Sequence, residues 1–175
     1  KDGVINKLYK GLSGLVKSRG VTFIEGHGKL VAKDTVEVNG TRYTGKNIIL
    51  ATGSYAKTLP GLEIDGDKII TSDHGTKLNY VPKSVIVLGG GVIGCEFASV
   101  WKSFGSEVTI IEGLPHLIAL EDESSSKQLE RAFRKRGINF ELGVRFQSAV
   151  KTKKGVTVTL EDGKTFDAEI LMVSV

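Results

Sequence analysis

The sequence predicts an α/β fold in which a parallel βαβ sheet is joined by an antiparallel β-meander. Three observations predict it. An uninterrupted apolar run, Val85–Leu88, is typical of a parallel strand that is buried on both faces. A glycine-rich turn follows directly, and apolar residues then recur at helical spacing as far as Phe104. A second apolar run, Val108–Ile111, ends in the acid Glu112, as the second strand of the same unit should.

The first sixty residues predict a separate group of elements. Apolar residues from Ile5 to Val16 form one helical stripe that ends at Gly20, and Asn39-Gly40 is a strong signal for a hairpin turn. The predicted elements are a helix over this stripe, a strand over Val21–Glu25, a turn at Gly26-His27-Gly28, hairpin strands over Thr35–Val38 and Thr41–Tyr43, and a buried strand over Asn47–Ala51.

The rest of the chain predicts a connector and a second domain. Residues 61–83 are interrupted by Gly61, Gly66 and Pro82, which favours a connector between a domain over 1–60 and another over 84–175. After the βαβ unit we expect a helix over 122–136, a strand near 138–142, a hairpin turned at Asp162-Gly163 and a last strand over 168–175. Because the chain stops inside that strand, we expect it to be the central part of a longer protein, truncated there.

The spacing Gly89-Gly90-Gly91-Val92-Ile93-Gly94 predicts a Rossmann-like dinucleotide site. Gly89 permits the tight turn, Gly91 has no Cβ to obstruct a pyrophosphate, and Gly94 lets the helix pack closely on the sheet. Glu112 lies eighteen residues beyond Gly94, where a carboxylate binds the adenosine ribose and repels a 2′-phosphate. We therefore expect NAD rather than NADP. The alternative interpretation of Glu112 is a solvated acid at a strand end.

Composition and isolated residues argue against several other functions. The net charge is +4, but the basic residues are scattered except for a cluster that ends the helix over 122–136, so we expect no nucleic-acid binding. No apolar run is long enough to span a membrane. Cys95 has no partner for a disulfide, and we interpret it as a buried packing residue rather than a reactive thiol. The three histidines have no metal-ligand spacing, so we expect no metal.

Two separated segments resemble one family. Ile48-Ile49-Leu50-Ala51-Thr52-Gly53-Ser54, followed by Pro60-Gly61, is similar to the strand and ATG motif of flavoproteins with two dinucleotide-binding domains. The pairing of this motif with the later glycine turn resembles the flavin disulfide reductases, in which the NAD domain is inserted in the FAD domain. Within these, the segment from Gly89 to Ser99 together with Glu112 looks most like the dihydrolipoamide dehydrogenases. The resemblance covers all 175 residues.

The resemblance implies a role for each matching residue. Gly28, Thr52, Gly53 and Ser54 would lie against FAD. Gly89, Gly90, Gly91 and Gly94 would bind the NAD pyrophosphate and Glu112 the ribose. Val92 would gate the nicotinamide pocket beside Ile93. Glu96 would pair with a lysine near the flavin, although its position alone indicates an acid in the first turn of a helix. Phe146 would line the adenine site, or else be a core strand residue.

The resemblance also implies an activity: oxidation of dihydrolipoamide with NAD⁺, with electrons passing from the dithiol to FAD and then to NAD. It implies a homodimer and a lipoyl-bearing acyltransferase of a 2-oxo acid dehydrogenase complex as partner. The compartment would be the cytoplasm, or the mitochondrial matrix or plastid in a eukaryote. The family's C-x-x-x-x-C disulfide, its FAD glycine motif and its catalytic His–Glu pair are absent from these residues, so no catalytic residue is expected within them.

Alternatives stay open on the sequence alone. An NADH oxidase, a soluble transhydrogenase or a mercuric reductase would share this part of the chain. A module that binds NAD without catalysis is the alternative from another class of function.

Overall fold

The computed structural model describes residues 1–175, which divide into two compact units, residues 1–53 and 54–175. The first unit contains one helix and a three-stranded antiparallel sheet of order β1-β2-β3. Its elements are α1 (Asp2–Ser18), β1 (Gly28–Ala32), β2 (Thr35–Val38) and β3 (Thr41–Thr44). The predicted hairpin is confirmed: Asn39 and Gly40 both have left-handed φ angles, 50° and 79°, as a tight two-residue turn requires.

Two of the strand predictions for this unit are wrong. Neither Val21–Glu25 nor Asn47–Ala51 is a strand, and Ile49 and Leu50 are largely exposed. An apolar β-prone run becomes a strand only where its backbone groups find another strand to pair with. Neither run pairs with the three-stranded sheet. Gly28, expected in a turn, instead opens β1, a strand that the sequence analysis did not predict.

The second unit is built on a five-stranded sheet in which every neighbouring pair is parallel, as predicted. The strand order is β4-β11-β5-β6-β7, and a separate antiparallel meander has the order β10-β9-β8. The elements are β4 (Ile69–Thr71), α2 (Ser72–Gly75), β5 (Ser84–Leu88), α3 (Val92–Ser103), β6 (Glu107–Glu112), α4 (Glu123–Arg136), β7 (Asn139–Leu142), β8 (Phe146–Thr152), β9 (Gly155–Leu160), β10 (Thr165–Ala168) and β11 (Ile170–Val173).

The parallel sheet is the middle of three layers. Alternate residues of a strand point to opposite faces. Val85 and Val87 therefore pack in one core cluster with Trp101 of α3, while Ile86 and Leu88 pack in a second cluster with the meander. Burial on both faces explains why β5 is apolar without interruption.

Two strands of this unit were not predicted from the sequence. β4 lies inside the segment predicted as a connector and forms an edge of the parallel sheet by pairing with β11. A run of three residues among glycines and prolines is too short to show a period. β8 likewise has no clear alternation in its exposed sequence. No helix of the structure has the length and apolar character needed to cross a membrane.

Asp65 organises the turn that leads into β4. Its Oδ1 accepts hydrogen bonds from the backbone N–H groups of Asp67, Lys68 and Ile69 at 2.9, 2.9 and 2.8 Å. Its Oδ2 lies 3.1 Å from Nζ of Lys151 on β8. Burial alone would raise the pKa of Asp65, but these hydrogen bonds outweigh it and lower the pKa to about 2. One carboxylate therefore ties the meander to the edge of the parallel sheet.

We expect Asp65→Asn to destabilise the second unit by about 1 kcal/mol near pH 7, a value reduced for solvent screening of this partly exposed group. The pKa of the native carboxyl lies below its unfolded value, so its contribution is full above about pH 4 and is lost as the pH falls toward 2. Urea unfolding of both proteins should show a difference that shrinks over this range. A difference independent of pH would contradict the role assigned to the charge.

Candidate functional site

The candidate site lies at the carboxyl edge of the parallel sheet. The chain runs from β5 to β6 and β7 on one side, while β11 lies on the other side of β5, so the strand order reverses there. Ligands of open α/β sheets bind at such a point. A cavity of about 590 Å³ opens here, within the size range of small-molecule sites.

The glycine turn joins β5 to α3, and Gly89 and Gly94 leave no room for a side chain. Gly89 has a φ of 106°, which favours glycine, and its N–H donates to the carbonyl of Ile111 at 2.9 Å. A Cβ on Gly94 would overlap the carbonyl oxygen of Gly89 and would come within 3.1 Å of Val87 Cγ1. The close packing expected of Gly94 is therefore present in the structure.

The start of α3 offers hydrogen-bond donors to the cavity. Gly91 is the N-cap residue and contributes no side-chain hydrogen bond. The first N–H groups of an α-helix lack acceptors within the helix, and the helix dipole adds partial positive charge there. The Cβ position of Gly91 faces open space. A phosphate group of a ligand can approach this backbone directly.

Glu112 ends β6 and faces the same turn. Its Oε2 accepts a hydrogen bond from the N–H of Gly90 at 2.5 Å, and its Oε1 accepts one from the N–H of Leu114 at 2.7 Å. A carboxylate has about four acceptor positions, so about two remain for a ligand. Both oxygens of Glu112 are therefore hydrogen-bonded to the loops that border the cavity, and the ribose role stays a prediction.

The opposite wall comes from two segments that the sequence analysis did not connect with the site. Residues 118–121 follow β6, and residues 144–146 precede and open β8. Backbone hydrogen bonds fix the second segment: Val144 N–H donates to the carbonyl of Glu112 at 3.1 Å, and Gly143 N–H donates to that of Leu114 at 2.9 Å. These bonds bring Arg145, which is far from Glu112 in the sequence, to the same cavity. The position of Arg145 depends on this long-range pairing, so the sequence alone could not predict it.

The structure gathers only some of the predicted site residues. Gly89, Gly91, Val92, Glu112 and Phe146 line the cavity. Gly90 lies against Glu112, and Gly94 is buried beneath the turn. Ile93 and Glu96 are exposed on α3 and do not line it. Gly28, Thr52, Gly53 and Ser54 are exposed, and none of them lines a described cavity. These residue roles remain predictions.

Cys95 is a packing residue in this structure. It lies on the buried face of α3 in the core cluster, and its Sγ lies 3.3 Å from the carbonyl oxygen of Gly90. Burial, together with the charge of Glu112, raises the pKa of the thiol to about 12. No three His, Cys, Asp or Glu side chains are grouped so that they could hold a metal ion.

The sequence of this chain is similar to those of known proteins. The sequence model of the family described as pyridine nucleotide-disulphide oxidoreductase matches residues 3–175. Dihydrolipoyl dehydrogenase of Cupriavidus necator is 40% identical over 183 residues, which cover 100% of this chain and 39% of that protein. The mitochondrial dihydrolipoyl dehydrogenase of Pisum sativum is 36% identical, with 99% and 37% covered. The chain thus spans less than half the length of the curated relatives that it matches.

A solved structure shares the fold closely. The crystal structure of LpdA from Mycobacterium tuberculosis superposes with a TM-score of 0.86 at 26% identity, over 99% of this chain and 40% of that one. The α/β fold expected from the sequence and the resemblance to flavin disulfide reductases are both confirmed.

We expect Cys95 to resist thiol reagents in the folded protein, because the thiolate is the reactive species and burial raises the thiol pKa to about 12. Titration with a chromogenic disulfide reagent at about pH 8 should give no reaction until denaturant is added. Rapid labelling of the native protein would show that the thiol is accessible and ionised.

Proposed function

We propose a function from one established premise: this chain belongs to the pyridine nucleotide-disulphide oxidoreductase family. We propose that its second unit binds NAD(H) at the cavity beside the glycine turn. The whole protein would oxidise dihydrolipoamide with NAD⁺ to give lipoamide, NADH and a proton. The dihydrolipoyl dehydrogenases of C. necator and pea, which are similar over the whole chain, support this substrate.

The observation that carries the NAD part is the position of Glu112. Its carboxylate is held by the N–H groups of Gly90 and Leu114 and keeps acceptor capacity toward the cavity. Such a carboxylate can accept hydrogen bonds from the ribose hydroxyls, whereas it repels the anionic 2′-phosphate of NADP. This favours NAD over NADP.

The other residues of the site would bind and orient the dinucleotide. The N–H groups at the start of α3 would hold the pyrophosphate over Gly91, and Phe146 would lie against the adenine. Val92, half-exposed at the cavity, would contact the nicotinamide side, with Ile93 beside it on the helix. Glu96 is exposed on α3, so its carboxylate is available for the lysine partner that the family resemblance implies.

The FAD part of the proposal rests on the resemblance. When bound, FAD supplies the redox chemistry that links a dithiol to NAD⁺. Gly28, Thr52, Gly53 and Ser54 would lie against it, within a partial FAD domain over 1–60 that is joined by 61–83 to the NAD domain over 84–175. Of these four residues, only Gly53 has a left-handed φ, 82°, that favours glycine.

The partners and the compartment follow the same family. We propose a homodimer that receives electrons from the lipoyl domain of a 2-oxo acid dehydrogenase complex acyltransferase. The cytoplasm is the proposed compartment, or the mitochondrial matrix or plastid in a eukaryote. The pea relative is named as a mitochondrial protein, which supports the matrix as the compartment in a eukaryote.

We expect the full-length protein to bind NADH at least tenfold more tightly than NADPH, because only NADH avoids a phosphate beside Glu112. Glu112→Gln should weaken NADH binding by about tenfold or more, since a hydrogen bond to a charged group is lost, and should reduce the preference over NADPH. Titration followed by energy transfer from the core residue Trp101 to the reduced nicotinamide measures both constants.

Equal affinities for the two nucleotides in the unaltered protein would contradict the ribose role. Reduction of NAD⁺ by dihydrolipoamide, measured in the same preparation, tests the substrate. NADH consumption by oxygen at a comparable rate would favour the NADH oxidase alternative instead.

Gly91→Ala and Gly94→Ala form a matched pair. A methyl group at Gly91 points into open space, so stability should change by less than about 0.5 kcal/mol while NADH binding is lost by obstruction of the pyrophosphate. A methyl group at Gly94 overlaps the backbone at Gly89, so this variant should lose about 3 kcal/mol or more of stability. Urea unfolding and NADH titration separate the two effects, and normal NADH binding by Gly91→Ala would refute the proposed approach of the phosphates.

A further inference from the structure

Ile118 has an unusual backbone conformation at the edge of the cavity. Its φ is 46°, and the only other non-glycine residue with a positive φ is Asn39, in a hairpin turn that requires it. The left-handed region is unfavourable for L-residues and especially for β-branched ones, because the side chain crowds the backbone. A conformation of this kind persists only where surrounding contacts hold it.

Both backbone polar groups of Ile118 are occupied. Its N–H donates to the carbonyl of Gly90, in the middle of the glycine turn, at 2.8 Å. Its carbonyl accepts from the N–H of Glu121 at 2.8 Å and lies 3.5 Å from Oγ of Ser126 on α4. The residue is therefore fixed between the glycine turn and the start of α4.

The residues on either side of Ile118 serve different purposes. Leu117 is fully buried, and its Cδ2 would lie 2.7 Å from a Cβ on Gly90, so it supports the turn from below. Its N–H donates to Oε1 of the buried Glu130 at 3.3 Å. Ala119, Leu120 and Glu121 line the cavity instead. The left-handed residue between them redirects the chain from the core to the cavity wall.

We propose that Ile118 is a positioning residue for the dinucleotide, whose strained backbone holds the wall formed by residues 119–121 in place before the ligand arrives. This inference rests on the proposed function. A wall that is already ordered costs less conformational entropy when the ligand binds, so the strain would be compensated by affinity. Stability and NADH affinity should then respond in opposite directions when the strain is removed.

The test compares Ile118→Gly with Ile118→Ala in the full-length protein. Both variants lose the side chain, but only glycine adopts a positive φ without strain. The glycine variant should therefore have a Tm about 2–4 °C higher than the alanine variant. It should bind NADH about fivefold more weakly than the alanine variant, because its wall is less ordered in the free protein.

The same pair of substitutions at Leu120 is the control for stability. Leu120 is 98% exposed and has no positive φ, so alanine should be the more stable variant there. At Ile118, alanine as the more stable variant would overturn the claim of strain. Glycine as the more stable variant with unchanged NADH affinity would overturn the positioning role. If the unaltered protein fails to bind NADH, the proposed function fails and this inference with it, while the order of the Tm values still reports on the strain.

Discussion

Helix α3 begins beside the end of β5 because nothing larger than hydrogen fits between Gly94 and the carbonyl oxygen of Gly89. Ser174, which follows β11, closes this contact from the other side: its Oγ lies 3.1 Å from the carbonyl oxygen of Leu88 and 3.0 Å from that of Gly89. A side chain at either glycine would displace the helix and its N–H groups together. Every ligand contact assigned to the turn depends on this close approach.

Local signals were enough to predict the parts of the fold that are local in sequence. The glycine turn, the apolar run of β5 and the helix that follows are adjacent in the chain, and the residues show the glycine spacing, the unbroken run and the helical period directly. The ends of α4 could also be predicted from local residues. Asp122 caps the first turn by accepting a hydrogen bond from Ser124 N–H, and Gly137 adopts the left-handed conformation after the last turn. Strands whose partner is distant in sequence could not be predicted in this way. For example, β4 depends on pairing with β11, which lies about a hundred residues later.

The residues of the candidate site likewise fall into those that local spacing predicts and those that long-range contacts place. Gly89, Gly91 and Glu112 could be assigned from spacing because the βαβ unit fixes their separation. Ile118 and Arg145 could not, since their places depend on hydrogen bonds to Gly90 and on the pairing of residues 143–144 with residues 112–114. The false strand at Asn47–Ala51 has the same physical cause in reverse: an apolar sequence was present, but the pairing that makes a strand was not.

Other charges around the cavity act on a bound nucleotide together with Glu112. Glu112, Glu121 and Glu161 line it with one cation, Arg145, so the lining carries three negative charges and one positive charge, a net charge of −2. The diphosphate of the proposed dinucleotide would be compensated at the N-terminus of α3, where backbone donors and the helix dipole act together. A further phosphate on the ribose would lack such compensation and would lie beside Glu112, both oxygens of which already accept backbone N–H groups. Arg145 is the one cation of this lining, so we expect the cavity as a whole, and not one residue, to disfavour the phosphorylated cofactor.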